Sequence, residues 1–362
     1  MKVLDRYVLR EFTAKFTLVL LSLSGIYLIV DFFERIRMFL SNQGTAAQIG
    51  AYFLYEIPMI VSTLLPVSVL LGTLVTFSVL SRNSEIIAMK ANGVSLYRMA
   101  LPVLLFAAGI SVVSFVLTEY VTPFTNQKAK HIKFVEVQKR GTEFQVFGNN
   151  EIWYRGRDGI YHFRHFDSRT STLRGITIHY LNPWDGAVSK RVDAERAEWN
   201  GKEWVFHDLQ VATFPLGGEP ELERIPAMAA DLPEKPEDFL VVRKDAEEMG
   251  YGELKQYVEK IQSQGYNAAH YRADLYGKIA FPFISLILAV LGISFSLLRS
   301  ERSGGVSGAI AMGVLIGFSY WIVFAVALSF GRSGSLPPLA AAWAANVLFG
   351  SAALVLFLKI RT

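Results

Sequence analysis

Three long apolar stretches, a polar interval from Val121 to His270, and three more apolar stretches divide this chain. A helix needs about 20 mostly apolar residues to cross roughly 30 Å of hydrocarbon, so the order confines the chain to two membrane blocks around an insert. The candidate spans are Phe16 to Phe33, Ala51 to Leu80, Tyr97 to Tyr120, Leu275 to Leu298, Val306 to Phe330 and Leu336 to Leu358. The expected fold is therefore an α-helical membrane protein of six transmembrane helices. Pro58, Pro66 and Gly72 punctuate the second span, which lipid tolerates where neighbouring helices or hydroxyls such as Ser62, Thr63 and Ser68 satisfy the freed carbonyls. Met1 to Lys15 reads as an amphipathic lead lying on the membrane surface, with Val3, Leu4, Tyr7, Val8 and Phe12 at roughly helical spacing among four basic residues. A cleavable signal peptide is the competing reading; no small-x-small site follows the run closely, and Asp31-Phe32-Phe33-Glu34-Arg35 comes next.

The net charge of +4 suggests nucleic acid until it is divided. Residues 121–270 hold 20 Lys and Arg against 23 Asp and Glu, leaving 16 against 9 on the rest. The basic excess lies at the rims of the spans, which points to a membrane surface. With no cysteine, disulfides, thiol nucleophiles and thiolate metal sites are excluded. Orientation follows from Lys and Arg in the short loops. With the amino terminus inside, cytoplasmic segments hold eleven and external short loops three, namely Arg35, Arg37 and Arg332. Both termini are then expected inside and the insert outside.

Within the insert the period changes to two. Glu151 to Arg155, Gly159 to Phe166, Leu173 to Leu181 and Glu203 to Phe214 are rich in aromatic and β-branched residues and are separated by turn signals such as Asn200-Gly201. An all-β sandwich or open jelly roll is expected. Large apolar residues on both strand faces leave two readings: a sandwich with a partly covered outer face, or a half-open trough for acyl chains. Leu254, Tyr257, Val258 and Ile261 then mark an amphipathic helix ending near Gly265. The domains are thus 1–120, 121–270 and 271–362.

Catalytic chemistry finds no foothold. The six histidines show no metal-ligand spacing, there is no phosphate-binding Gly-x-x-x-x-Gly-Lys-Ser/Thr, and no Gly-x-Ser-x-Gly or Ser-x-x-Lys nucleophile occurs. No catalytic residue, metal or bound cofactor is expected. What stands out is the loop after the second span. Ser84 reads as an N-cap, Glu85 to Ala91 as a short helix exposing Ile86, Ile87 and Met89, and Asn92-Gly93 as its stop. A short apolar-faced helix between two spans either lies among headgroups or docks into a partner's groove.

Several segments together carry a resemblance: Leu4-Asp5-Arg6-Tyr7-Val8, Leu23-Ser24-Gly25, Ser81-Arg82-Asn83-Ser84-Glu85 followed by Met89-Lys90-Ala91-Asn92-Gly93, Glu119-Tyr120-Val121-Thr122-Pro123, Leu173-Arg174-Gly175-Ile176-Thr177-Ile178 and Lys278-Ile279-Ala280-Phe281-Pro282. In this order they resemble the lipopolysaccharide export permeases of the LptF/LptG family, the LptG branch more than the LptF branch. The resemblance covers essentially the whole chain. It implies an ABC-transporter permease of the bacterial inner membrane, not itself an enzyme, with a jelly-roll-like periplasmic domain. The implied partners are a paralogous LptF-like permease, a homodimeric LptB-like ATPase that hydrolyses the ATP, a single-span periplasmic LptC-like jelly-roll protein and an LptA-like bridge. Ser84, Glu85, Ile86, Ile87, Met89, Ala91 and Gly93 match the family's coupling element. The first span departs from the family, with Leu28 where relatives place a lysine and Glu34-Arg35 where a basic pair is usual.

Lipopolysaccharide carries phosphates above several acyl chains, so its binder needs cations at the outer rim and an apolar cavity beneath. Arg35, Arg37, Arg272 and Lys278 flank the first and fourth spans and are the expected headgroup ligands, with Glu56 and Glu119 as candidate partners. Gly304, Gly308, Gly313 and Gly317 place small-xxx-small pairs on the fifth span. Either they serve static packing, or the span closes on the partner permease's first span as a lateral gate. Two other functions stay open: a membrane-anchored periplasmic assembly scaffold, and a mechanotransmitting ABC subunit that carries no substrate.

Overall fold

The computed structural model describes residues 3–139, 152–155, 159–167, 170–182, 187–215, 220–230, 232, 245–263, 267–298 and 305–359. Two compact units emerge, one from Met1–Lys133 with Asp245–Thr362, the other from Phe134–Lys244. The β unit is thus shorter than the polar interval of 121–270. The third apolar helix runs past its expected end, and the segment from Asp245 packs with the helices.

In the first unit α1 (Val3–Ser41) and α2 (Ala46–Arg82) pair antiparallel, followed by α3 (Glu85–Ala91) and α4 (Leu96–Val116). A π-helical turn (Leu117–Val121), α5 (Thr122–Lys130) and a second π segment (His131–Val137) extend α4. After the β unit come a 3-10 turn (Ala246–Glu248), α6 (Tyr251–Ser263), α7 (Ala269–Ala280), α8 (Phe283–Leu298), α9 (Gly305–Arg332) and α10 (Pro338–Leu358). Five described helices are long and apolar enough to cross a membrane, and α7 with α8, bent by 51°, pass the same test as a pair, which makes six if the two together are one span. Gly265, where α6 was expected to end, lies outside the described residues.

The amphipathic lead is not a separate surface helix. It forms the first turns of α1, which runs unbroken for 39 residues, about 58 Å at 1.5 Å per residue. Val8, Phe12 and Phe16 recur every four residues and are buried with Leu65, Val69 and Met99, so one apolar stripe carries the lead into the span without a breaker. Gly72 allows this approach, because a Cβ there would stand 3.0 Å from Phe16 Cα. α2 is the central helix: its most apolar window is 72% buried, against 11% for α1. A Thr45–Gln48 capping box starts it. Two of the hydroxyls expected to relieve its prolines do otherwise, since Ser62 Oγ donates to Met59 O at 2.9 Å and buried Ser68 Oγ has no partner among the described residues.

Pro282 breaks the fourth span, having no N–H to continue the helix. Beyond it the Ile284 N–H closes on Phe281 O at 3.1 Å, so the Ala280 carbonyl accepts from Asn346 Nδ2 at 2.8 Å, and Asn346 Oδ1 accepts from the Tyr320 hydroxyl. A buried side-chain chain from α9 through α10 therefore satisfies the bend.

The inserted domain is all-β as expected. Strands β1 (Ile152–Arg155), β2 (Gly159–Asp167), β3 (Thr172–Leu181), β4 (Val188–Trp199), β5 (Trp204–Thr213) and β6 (Glu221–Ala230) form one antiparallel sheet in chain order. Among the described residues there is no second sheet facing it, so the expected sandwich becomes a meander. Its inward residues do not keep a strict period of two. Leu173 and Ile176, Ala194 and Ala197, and Phe206 and Leu209 are all buried in one core, three apart in each strand. Paired rows on either side of this step are Ile176–Ala194–Leu209 and Leu173–Ala197–Phe206. Gly175 and Asp208, with φ of 63° and 55°, sit within it. The pairing register is the same on both sides of this step, so no residue is inserted; the left-handed backbone at Gly175 and Asp208 turns the strands so that one face stays inward on both sides.

Candidate functional site

Arg35 lies at the α1–α2 turn end of the first unit. Its Nε donates to Asp31 Oδ1 at 2.6 Å, one helical turn back, and its Nη1 reaches the Tyr52 hydroxyl and Glu56 Oε1, the latter at 3.4 Å. Tyr52 in turn donates to Glu56 at 2.6 Å. Arg35 is therefore held by two of the protein's own carboxylates, Asp31 and Glu56. Glu56 is its partner, as its position near the same rim suggested. Spacing explains the arrangement: Asp31 and Arg35 on α1, and Tyr52 and Glu56 on α2, are both i,i+4 pairs, and the antiparallel turn brings the two faces together.

The other three cations differ. Arg37 is exposed and Arg272 half-buried, and neither forms an ion pair among the described residues. Lys278 is half-buried without a direct hydrogen bond among the described residues, in the field of Glu119, Glu247 and Asp274. Two of those carboxylates are engaged elsewhere. Asp274 pairs with Arg332 at 2.7 Å, and Glu119 accepts from the backbone N–H groups of Tyr251 and, at 3.3 Å, Gly252, capping α6. Lys278 thus keeps its donors available inside a partly desolvated setting, which is where a phosphate contact gains most. Arg272 and Lys278 are six residues apart and so point about 120° away from each other around α7. They do not make one cradle.

At the opposite end, α3 joins α2 to α4. Ser84 does not cap it by its side chain: the residue has φ of 59° and makes no such bond. Ile86 is buried in the core and Met89 packs against it, so the outward face is Ile87, Lys90 and Ala91. The expectation of three exposed apolar side chains reduces to one, Ile87, at 51% exposure. The stop at Asn92-Gly93 is a Schellman closure, with Gly93 N–H on Lys90 O at 2.9 Å and Val94 N–H on Met89 O at 3.0 Å. Gly93, at φ of 77°, supplies the left-handed residue that closure needs.

The glycines of α9 also find their neighbour within the chain. A Cβ on Gly313 would meet Leu71 and Leu74 of α2 at 2.5 and 2.8 Å, and one on Gly317 would meet Val67 at 3.7 Å. Gly313 and Gly317 therefore seat α9 on α2, and the exposed face of α9 carries Val314, Leu315, Phe318 and Ile322. Gly308 is half-buried near the start of α9; Gly304 lies outside the described residues. No group of three metal-binding side chains occurs among the described residues.

A helical bundle interrupted by a β unit, with a short helix between its second and third spans, has a counterpart among known proteins. The family described as lipopolysaccharide export system permease LptF/LptG matches residues 6–359. The chain belongs to this family. It is 24% identical over 328 residues to the lipopolysaccharide export system permease protein LptG of Escherichia coli strain K12, covering 89% of this chain and 88% of that one. With LptG of Haemophilus influenzae it shares 22% over 324 residues, 88% of each. Three features of this family member escaped sequence reading: the Tyr320–Asn346–Ala280 chain, the Tyr52 contact to Arg35, and the bond from Tyr7 to Glu85. Asn346 alone left a signal, as an amide inside the apolar run from Leu336 to Leu358.

Proposed function

We propose that this LptF/LptG-family permease is the membrane subunit of an ABC transporter that extracts lipopolysaccharide from the outer leaflet of the inner membrane. Its β domain, on the periplasmic side, receives the lipid and passes it toward the outer membrane. Both termini and α3 face the cytoplasm, following the bias of Lys and Arg in the short loops. An LptF-like permease completes the membrane pair and an LptB-like homodimer hydrolyses ATP. LptC-like and LptA-like jelly-roll proteins continue the route.

The observation that carries this reading is α3 itself. It is too short to persist alone, its inner side is anchored by Ile86 and Met89 in the bundle core, and its outer side offers Ile87, Lys90 and Ala91 to a groove. A scaffold with no motor has no use for such an element. Glu85→Arg, or deletion of Ile86 to Met89, is expected to abolish copurification of the ATPase while leaving membrane insertion intact. Recovery of an unaltered amount of ATPase overturns the coupling role.

A further inference from the structure

We propose that the ATPase-docking surface is composite: the first two turns of α1 belong to it, with Tyr7 and Asp5 as positioning residues that hold Glu85 and the loop behind α3. This rests on the coupling reading above.

Both oxygens of the Glu85 carboxylate are held. Tyr7 Oη donates to Oε2 at 2.7 Å and Asn83 Nδ2 donates to Oε1 at 3.1 Å. Two residues before Tyr7, Asp5 forms an ion pair with Arg98 Nη2 at 3.3 Å. Glu85 opens α3 and Arg98 lies in the first turn of α4, so α1 clasps the docking loop on both flanks. Beneath these bonds Val8 and Ile86 share one core with Leu96, and Leu4, Met89 and Val94 pack against it. The Leu4-Asp5-Arg6-Tyr7 start thereby acquires a physical role, since its apolar member anchors α1 while its acid and phenol face the loop.

The consequence is mechanical and chemical. A carboxylate on a seven-residue helix between two long spans samples several rotamers unless something aims it. The phenol fixes it, so a partner meets a preorganised anion beside exposed Ile87, at the cost of little ordering. Val3, 88% exposed, and Tyr7, 39% exposed, extend that surface onto α1. The matching partner surface is an apolar cleft rimmed by a cation. Because α1 is one uninterrupted helix, displacement of α3 by the ATPase acts directly on the helix that carries Arg35 at its far end.

The test uses the full complex in lipid nanodiscs, titrated with the purified ATPase, with lipid release per ATP hydrolysed as a second readout. Tyr7→Phe, which removes only the hydroxyl, is expected to weaken ATPase binding about tenfold or to lower lipid release per ATP by a similar factor. In a Glu85→Gln background the same change is expected to add less than about twofold, because Tyr7 acts through the carboxylate. Asp5→Arg and Arg98→Asp are each expected to weaken binding, and the two together to restore it. Full binding and coupling by Tyr7→Phe, or an undiminished effect of Tyr7→Phe in the Glu85→Gln background, overturns the composite surface. If Glu85→Arg still abolishes ATPase association in that case, the coupling reading survives alone; if Glu85→Arg leaves association intact, both fall.

Discussion

Replacing Asn346 by Leu tests whether the bend of the fourth span depends on a side chain from α10. Asn346 is 4% and Tyr320 2% exposed, so both belong to an interior without bulk water. The substitution keeps the volume but removes two bonds, leaving the Ala280 carbonyl without its donor at 2.8 Å and the Tyr320 hydroxyl without its acceptor. Each orphaned buried polar group costs about 1–3 kcal/mol by soluble-protein measure. Side-chain hydrogen bonds between membrane helices average only about 0.6 kcal/mol, because the unfolded chain in lipid finds partners too. The Ala280 carbonyl has no such alternative, since the Ile284 N–H, its donor in a continued helix, closes on Phe281 O at 3.1 Å instead. We expect Asn346→Leu to cost about 2–3 kcal/mol and Tyr320→Phe, which frees only an amide oxygen, about 0.5–1 kcal/mol. Reversible unfolding in mixed micelles, followed by circular dichroism across a denaturing-detergent gradient, measures both. The double variant should match Asn346→Leu alone within about 0.5 kcal/mol, because the pair is coupled. Equal costs for the two single variants refute the reasoning, as the carbonyl then has another donor.

Three further outcomes follow from the same geometry. Lys278→Gln with Arg37→Gln is expected to reduce photocrosslinking of lipopolysaccharide severalfold, whereas Arg35→Gln, which strands Asp31 and Glu56, lowers detergent stability by about 1–3 kcal/mol and leaves labelling per folded molecule unchanged. Gly313→Val should push α9 from α2 and cost about 1–3 kcal/mol; an unchanged melting temperature contradicts the seat against Leu71 and Leu74. Phe206→Ala, at a fully buried position of β5, should cost about 3–5 kcal/mol, read as a lowered urea midpoint of the full-length protein's β-sheet signal while its helical signal persists.

The legible part of this protein is the part governed by solvent. Six apolar stretches cannot remain in water, and the alternation of aromatic and β-branched residues between them suits a sheet with one buried face, so the spans and the β insert could be read from residues 16–358. Partner choice could not. Arg35 reads as a rim cation with Glu56 as a candidate partner, but its bond to Tyr52 forms only once α1 and α2 pack, and Ile86 reads as exposed until Val8 and Leu96 close over it. The glycines of α9 declare a close approach without naming its partner, which turned out to be α2 of the same chain. The step in the sheet is hidden for the same reason, since a period of two says which residues face inward only as long as the backbone stays extended, and Gly175 and Asp208 leave that region. Hydropathy and period are local sums over a chain segment, and so the sequence alone determines what must leave water and with which backbone geometry. Which side chains then meet depends on residues separated by tens of positions, Tyr7 with Glu85 or Asn346 with Ala280, and only the packed tertiary structure decides that.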